Sequence, residues 1–175
     1  MNQQSKIAKP TLSFLNNGVA QIAYVVEDVY ECAVAYSRAF GVGPWDFYTY
    51  DKTILSVMRR HKKPTEYGMR IALSYFGDTR IELIQHLHGD TVYKEFIENH
   101  GYGVQHLGFL VENIEEAMQE AESAGFAITM EGGGHGLDGD GYFAYLDTEK
   151  ELGTTLELIQ RPKRRRAPEF VYPKQ

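Results

Sequence analysis

A single cysteine, Cys32, is the whole thiol content of the 175-residue chain. That excludes an intramolecular disulfide and favours a reducing compartment. Cys32 falls in a helical pattern and reads as a small buried hydrophobe. Long apolar runs are also missing. Nothing reaches the roughly 18 uninterrupted apolar residues of a membrane span, and Met1–Ser13 lacks the apolar stretch of roughly 7–15 residues that a secretory signal carries. The expectation is a cytoplasmic protein with no membrane partner. Positive charge is in deficit: 18 Lys and Arg stand against 24 Asp and Glu, for a net charge of −6. That balance disfavours nucleic acid as a partner, because phosphates attract clustered Lys and Arg. The one basic run, Lys163-Arg164-Arg165-Arg166, reads as part of a solvated or subunit-wrapping C-terminal arm over residues 161–175.

What is present is a composition able to build a core, 43% hydrophobic and 13% aromatic, and an internal repeat. Gln21-Ile22-Ala23-Tyr24-Val25-Val26-Glu27-Asp28-Val29 and His106-Leu107-Gly108-Phe109-Leu110-Val111-Glu112-Asn113-Ile114 match in character at nearly every place. Each is an apolar run closed by an acidic or amide residue, and a helical pattern follows (Tyr30 to Phe40, Glu115 to Ala124) that ends at Gly41 or Gly125. Each half closes alike, since Arg80-Ile81-Glu82-Leu83-Ile84-Gln85 and Thr155-Leu156-Glu157-Leu158-Ile159-Gln160 share Glu-Leu-Ile-Gln. With alternating segments at Met69–Tyr75 and Gly141–Leu146, each half reads as β-α-β-β-β, an α+β class. The divisions are an N-terminal extension over 1–17, a domain over 18–160 (modules at about 18–88 and 103–160), and the arm. A short helix is expected at Val92–Glu98.

The repeat superposes Gln21 on His106 and Glu82 on Glu157. A lone Glu on an alternating strand is most simply a solvent-facing residue, and a lone His a satisfied core imidazole. Four oxygen or nitrogen donors at repeat-related places point instead to one cation site. One His, two carboxylates and an amide suit zinc, nickel, cobalt or manganese, and leave coordination positions open for Lewis-acid catalysis.

These residues resemble the vicinal-oxygen-chelate superfamily, and within it glyoxalase I and methylmalonyl-CoA epimerase. The resemblance spans about Gly18 to Gln160 and is carried by Gly77–Ile84, Phe96-Ile97-Glu98 and Gly103–Ala117. It implies two β-α-β-β-β modules forming a cupped mixed sheet around one divalent metal ion, with Gln21, Glu82, His106 and Glu157 as ligands. It also implies proton abstraction alpha to a carbonyl through a metal-stabilised enolate, with Glu66, in Thr65-Glu66-Tyr67-Gly68, and Glu157 as the acid/base pair. The implied partner is a small carbonyl or thioester substrate, and the implied assembly a homodimer. Gln21 stands where epimerases carry His and matches zinc-type glyoxalase I, so a lactoylglutathione lyase-like reaction on a hemithioacetal is the alternative. A non-catalytic drug- or antibiotic-binding protein of this fold is another.

Three further features carry expectations. The aromatic loop after Gly41-Val42-Gly43-Pro44 puts Trp45 and Tyr48 in a substrate pocket, or Trp45 in plain core. The glycine-rich run Glu131–Gly141 lacks the strand-to-helix setting of a phosphate loop and reads as a mobile lid. His86 and His88 share a strand face and read as surface histidines rather than a second metal pair.

Overall fold

A computed structural model describes residues 12–174 of the chain. Residues 1–11, most of the expected N-terminal extension, and residue 175 lie outside the described residues.

The first module consists of β1 (Gln21–Val25), α1 (Val29–Phe40), β2 (Trp45–Tyr50), β5 (Tyr67–Phe76) and β6 (Thr79–Gly89), with a hairpin of β3 (Val57–Arg60) and β4 (Lys63–Pro64) inserted after β2. A connecting helix, α2 (Val92–His100), leads to the second module. This contains β7 (Gly103–Leu110), α3 (Ile114–Ser123), β8 (Ile128–His135), β9 (Gly141–Leu146), the short α4 (Glu149–Leu152) and β10 (Thr155–Gln160), and a final strand β11 (Phe170–Tyr172) follows. All strands join one mixed sheet in the order β11-β2-β5-β6-β1-β7-β10-β9-β8-β3-β4. The modules mirror each other across the antiparallel β1/β7 pair, because β6 runs parallel to β1 and β10 parallel to β7.

Local chemistry repeats with the topology. Asp28 caps α1 by accepting from the backbone N–H groups of Tyr30 and Glu31, and Asn113 caps α3 by accepting from those of Glu115 and Glu116. Each such cap is worth about 1 kcal/mol. Gly41 closes α1 in the left-handed conformation at φ 68°, which residues with a Cβ adopt only at a cost.

Strand alternation then divides the side chains between two faces. On the helix-covered face, α1 packs on Ile81, Leu83, Ala72, Trp45 and Phe47, while α3 packs on Phe109, Leu156 and Leu158. On the opposite face, the centre of the sheet carries Ala23, Ile71, Ile84, Phe143 and Tyr145 around Tyr93 of α2. Leu12 and Phe14, expected in an extension outside the domain, are buried with α3 instead. Among the described residues, no helix is long and apolar enough to cross a membrane.

Three expectations are corrected here. The aromatic segment Trp45–Tyr50 is strand β2, not a loop. Glu131–His135 belongs to β8 and pairs with β9, so it is not a lid. Its glycines serve close cross-strand packing: a Cβ on Gly132 would lie 2.1 Å from the Phe143 ring and one on Gly133 2.2 Å from the Tyr142 ring. The C-terminal arm is not free in solvent, since β11 adds to β2 with Phe170 opposite Phe47 and Tyr172 opposite Trp45.

Candidate metal centre

The four central strands place the repeat-related donors in two rows on the concave face. In one row Arg80 of β6, Gln21 of β1, Gly108 of β7 and Glu157 of β10 are successive register partners; in the other, Glu82, Ala23, His106 and Thr155 are. Each row thus has a small residue, Gly108 or Ala23, at a central strand. Donors on neighbouring strands converge over that gap.

The expected ligands all reach it. Atoms of Glu82, His106 and Glu157 lie within 4.8 Å of one another, and all three residues are buried. His106 Nε2 is 3.0 Å from Glu157 Oε2 and 3.6 Å from Glu82 Oε2. Gln21 lies among them: its Nε2 donates to Glu82 Oε2 at 2.8 Å and to Glu157 Oε2 at 2.9 Å, and lies 3.2 Å from His106 Nε2. An amide nitrogen encircled by acceptors sits where the chemistry of these donors asks for a cation.

Electrostatics agrees with the geometry. Burial opposes charge on His106, but Glu157 and Glu82 outweigh burial and raise the imidazole to about 9. Two buried carboxylates facing one imidazole form an acceptor-rich cluster that requires positive charge, from a proton or a metal. His106 Nδ1 is 2.7 Å from Gln105 Oε1, which can only accept, so Nδ1 carries the proton and Nε2 points at the cluster. The set therefore fits a divalent ion with nitrogen and oxygen ligands.

A cavity opens above the cluster, lined by Gln21, Glu82 and Glu157 at its base and by Tyr48, Tyr50 and Phe143 on its walls. Tyr48 thus lies where the sequence reading put it. Trp45 does not. Its odd position in β2 turns the indole to the helix side, where it is fully buried beside Tyr36 and donates to the Val42 carbonyl at 3.0 Å.

Glu66 is also absent from the cavity lining. It precedes β5 at the surface, its side chain 66% exposed and ion-paired with Lys52 at 3.0 Å. The structure brings Glu157 to the cavity and leaves Glu66 outside.

His86 and His88 form no second site. His86 bonds to Thr91 at 3.0 Å, and His88 packs against Gly68.

One cavity residue went unnoticed in the sequence. His135 ends β8, is 8% exposed and lines the cavity, and its Nδ1 is buried without a partner. Burial lowers its imidazole to about 4, so the ring is neutral near pH 7. No local pattern marks it, because its setting comes from the distant Tyr50 ring, 5.3 Å away.

Comparison with known proteins agrees with this architecture. Residues 20–145 match the family described as the Glyoxalase/Bleomycin resistance protein/Dioxygenase superfamily. A methylmalonyl-CoA epimerase from Mycobacterium tuberculosis superposes with a TM-score of 0.61 at 18% identity, over 83% of this chain and 89% of that one. A methylmalonyl-CoA epimerase variant from Streptomyces coelicolor, in complex with 2-nitronate-propionyl-CoA, gives 0.62 at 16% identity over 85% and 96%. A hypothetical protein from Bacillus halodurans gives 0.56 at 18% identity over 85% and 96%. No curated protein matches the sequence.

Proposed function

This chain belongs to the Glyoxalase/Bleomycin resistance protein/Dioxygenase superfamily, and we propose that it is a metal-dependent isomerase or lyase that moves a proton alpha to a carbonyl, in the manner of a methylmalonyl-CoA epimerase. The observation that carries this reading is the convergence of Glu82, His106 and Glu157 within 4.8 Å at the base of an aromatic-walled cavity. Glu82, His106 and Glu157, with Gln21 as fourth donor, would hold one zinc, nickel, cobalt or manganese ion. Such an ion would draw electron density from a substrate carbonyl and acidify the neighbouring C–H.

The chain's own residues supply the rest. Glu157 is positioned to take the proton, since its carboxylate belongs both to the cluster and to the cavity surface. The partner assigned by resemblance was Glu66, whose surface position argues for a different second group. His135 is the candidate: its ring lines the cavity and is held neutral near pH 7 by burial, so it could accept a proton from a bound molecule. Gln105 holds the His106 tautomer, and the walls at Tyr50 and Phe143 limit water around the reacting carbon.

The amide at Gln21 favours, as the second reading, a hemithioacetal isomerase of the glyoxalase I kind, which would require a thiol cosubstrate. The test is metal content together with solvent-deuterium incorporation into branched acyl thioesters, with and without glutathione. A single metal equivalent per chain and exchange without thiol support the epimerase-like reading. Exchange only with glutathione and methylglyoxal supports the second. Absence of metal after incubation with all four ions removes both and leaves a binding protein.

A further inference from the structure

The C-terminal arm crosses the mouth of the cavity and is pinned at both ends. At the near end, the Arg164 guanidinium pairs with Asp138 and its carbonyl accepts from Leu137 N–H at 2.9 Å, both in the β8–β9 connection. At the far end, the Glu169 carboxylate accepts from Thr49 N–H at 2.7 Å and β11 pairs with β2. The arm therefore runs from the outer strands of the second module to the outer strand of the first. The span between, Arg165-Arg166-Ala167, lines the cavity, as does Arg161 just before the pinned segment. Arg80 joins them from below, only 7% exposed, donating through Nε to Gln21 Oε1.

None of Arg80, Arg161, Arg165 and Arg166 has a carboxylate within ion-pair distance among the described residues, whereas Arg164 beside them pairs with Asp138. Arg80 is buried while Arg161, Arg165 and Arg166 are exposed around the same opening, and four like charges there create a positive field that favours an anion. Burial lowers the pKa of Arg161, and the neighbouring Arg80 and Arg165 lower it further. The carboxylates of Glu82 and Glu157 lie below, committed to the donor cluster, and that of Glu169 is committed to Thr49.

We infer that the arm is part of the ligand site, and that Arg80, Arg161, Arg165 and Arg166 bind an anionic group, a carboxylate or phosphate, of the molecule whose reacting carbon lies over the donor cluster. Planar guanidiniums suit both anions by paired N–H bonds. The inference rests on the proposed reaction only for what the anion is attached to. The anion site itself needs no metal.

Titration calorimetry at low salt with succinate, its neutral diamide and inorganic phosphate tests this, on metal-loaded protein and again after chelation. Succinate or phosphate should bind, the diamide should not, and Arg165→Gln/Arg166→Gln should weaken binding on the order of tenfold or more. Both arginines are exposed at the mouth, so the double variant keeps the core intact. Lys163→Gln, in the same basic run but away from the cavity lining, should bind as the parent does. Preference for succinate identifies a carboxylate; preference for phosphate identifies a phosphate ester. Equal binding of succinate and its diamide, unchanged binding in the double variant, or no binding of either anion overturns the inference. Anion binding that survives chelation in a protein without catalytic activity separates this site from a failure of the proposed reaction.

Discussion

The Nε of Arg80 donates to the amide oxygen of Gln21 at 2.5 Å, and so turns the amide nitrogen toward Glu82 and Glu157. To offer oxygen to a cation, Gln21 must turn its amide over and set two donors against each other. Gln21 is for this reason the weakest of the four donors. His106→Ala should abolish metal binding, while Gln21→Ala should reduce affinity by about 10–100-fold, the range of an orienting partner. Metal titration of both variants checks this; equal loss in the two would make Gln21 a full ligand.

The raised His106 sets a pH dependence for the metal-free protein. Its folded-state value, about 9, lies above that of an unfolded His, about 6.5. The associated stability is fully present below pH 6.5 and is lost as pH rises through 9, with a magnitude on the order of 3 kcal/mol. Thermal unfolding of the apoprotein should show a falling Tm across that window, and His106→Gln should flatten it. Metal should remove the slope as well and release a proton on binding, detectable as buffer-dependent heat.

Gly108 owes its identity to the gap beneath the donors. A Cβ there would lie 3.0 Å from Gln21 Cβ, 3.1 Å from Glu157 Oε2 and 2.6 Å from Ile159 Cδ1. Gly108→Ala should destabilise the fold by about 1–3 kcal/mol and displace Glu157. Denaturant unfolding together with metal titration would show it; a variant with parental stability and metal content would mean the cluster can widen at no cost.

Between Glu66 and His135, activity decides. Glu66→Gln should keep turnover within about twofold, because the side chain is exposed and outside the cavity lining. His135→Ala should lower turnover by about 100-fold or more with metal content unchanged. The reverse pattern would return Glu66 to the reaction.

The site was legible where the chain repeats itself. Superposing Gln21 on His106 and Glu82 on Glu157 named the four side chains that converge at the cavity base, and Asp28 and Asn113 announced both helix starts. What stayed hidden depends on contacts between residues far apart in the chain. Gly132 and Gly133 suggested mobility, yet they are glycines because the rings of Phe143 and Tyr142 lie against them. Trp45 and Tyr48 looked alike until strand alternation put them on opposite faces. Nothing in Arg161–Gln175 foretells that Glu169 will find Thr49, so the arm's course was not readable. The β3–β4 hairpin was missed because only pairing with β8 holds it in the sheet.

That hairpin bears on how the protein emerges from the ribosome. Val57–Arg60 leaves the exit tunnel with the first module but has its partner in Gly133–Met130 of the second. β1 likewise waits for β7 with an open edge. Until the second half has been translated, the nascent chain exposes two open strand edges, and this is the interval in which association with other nascent chains competes with correct closure.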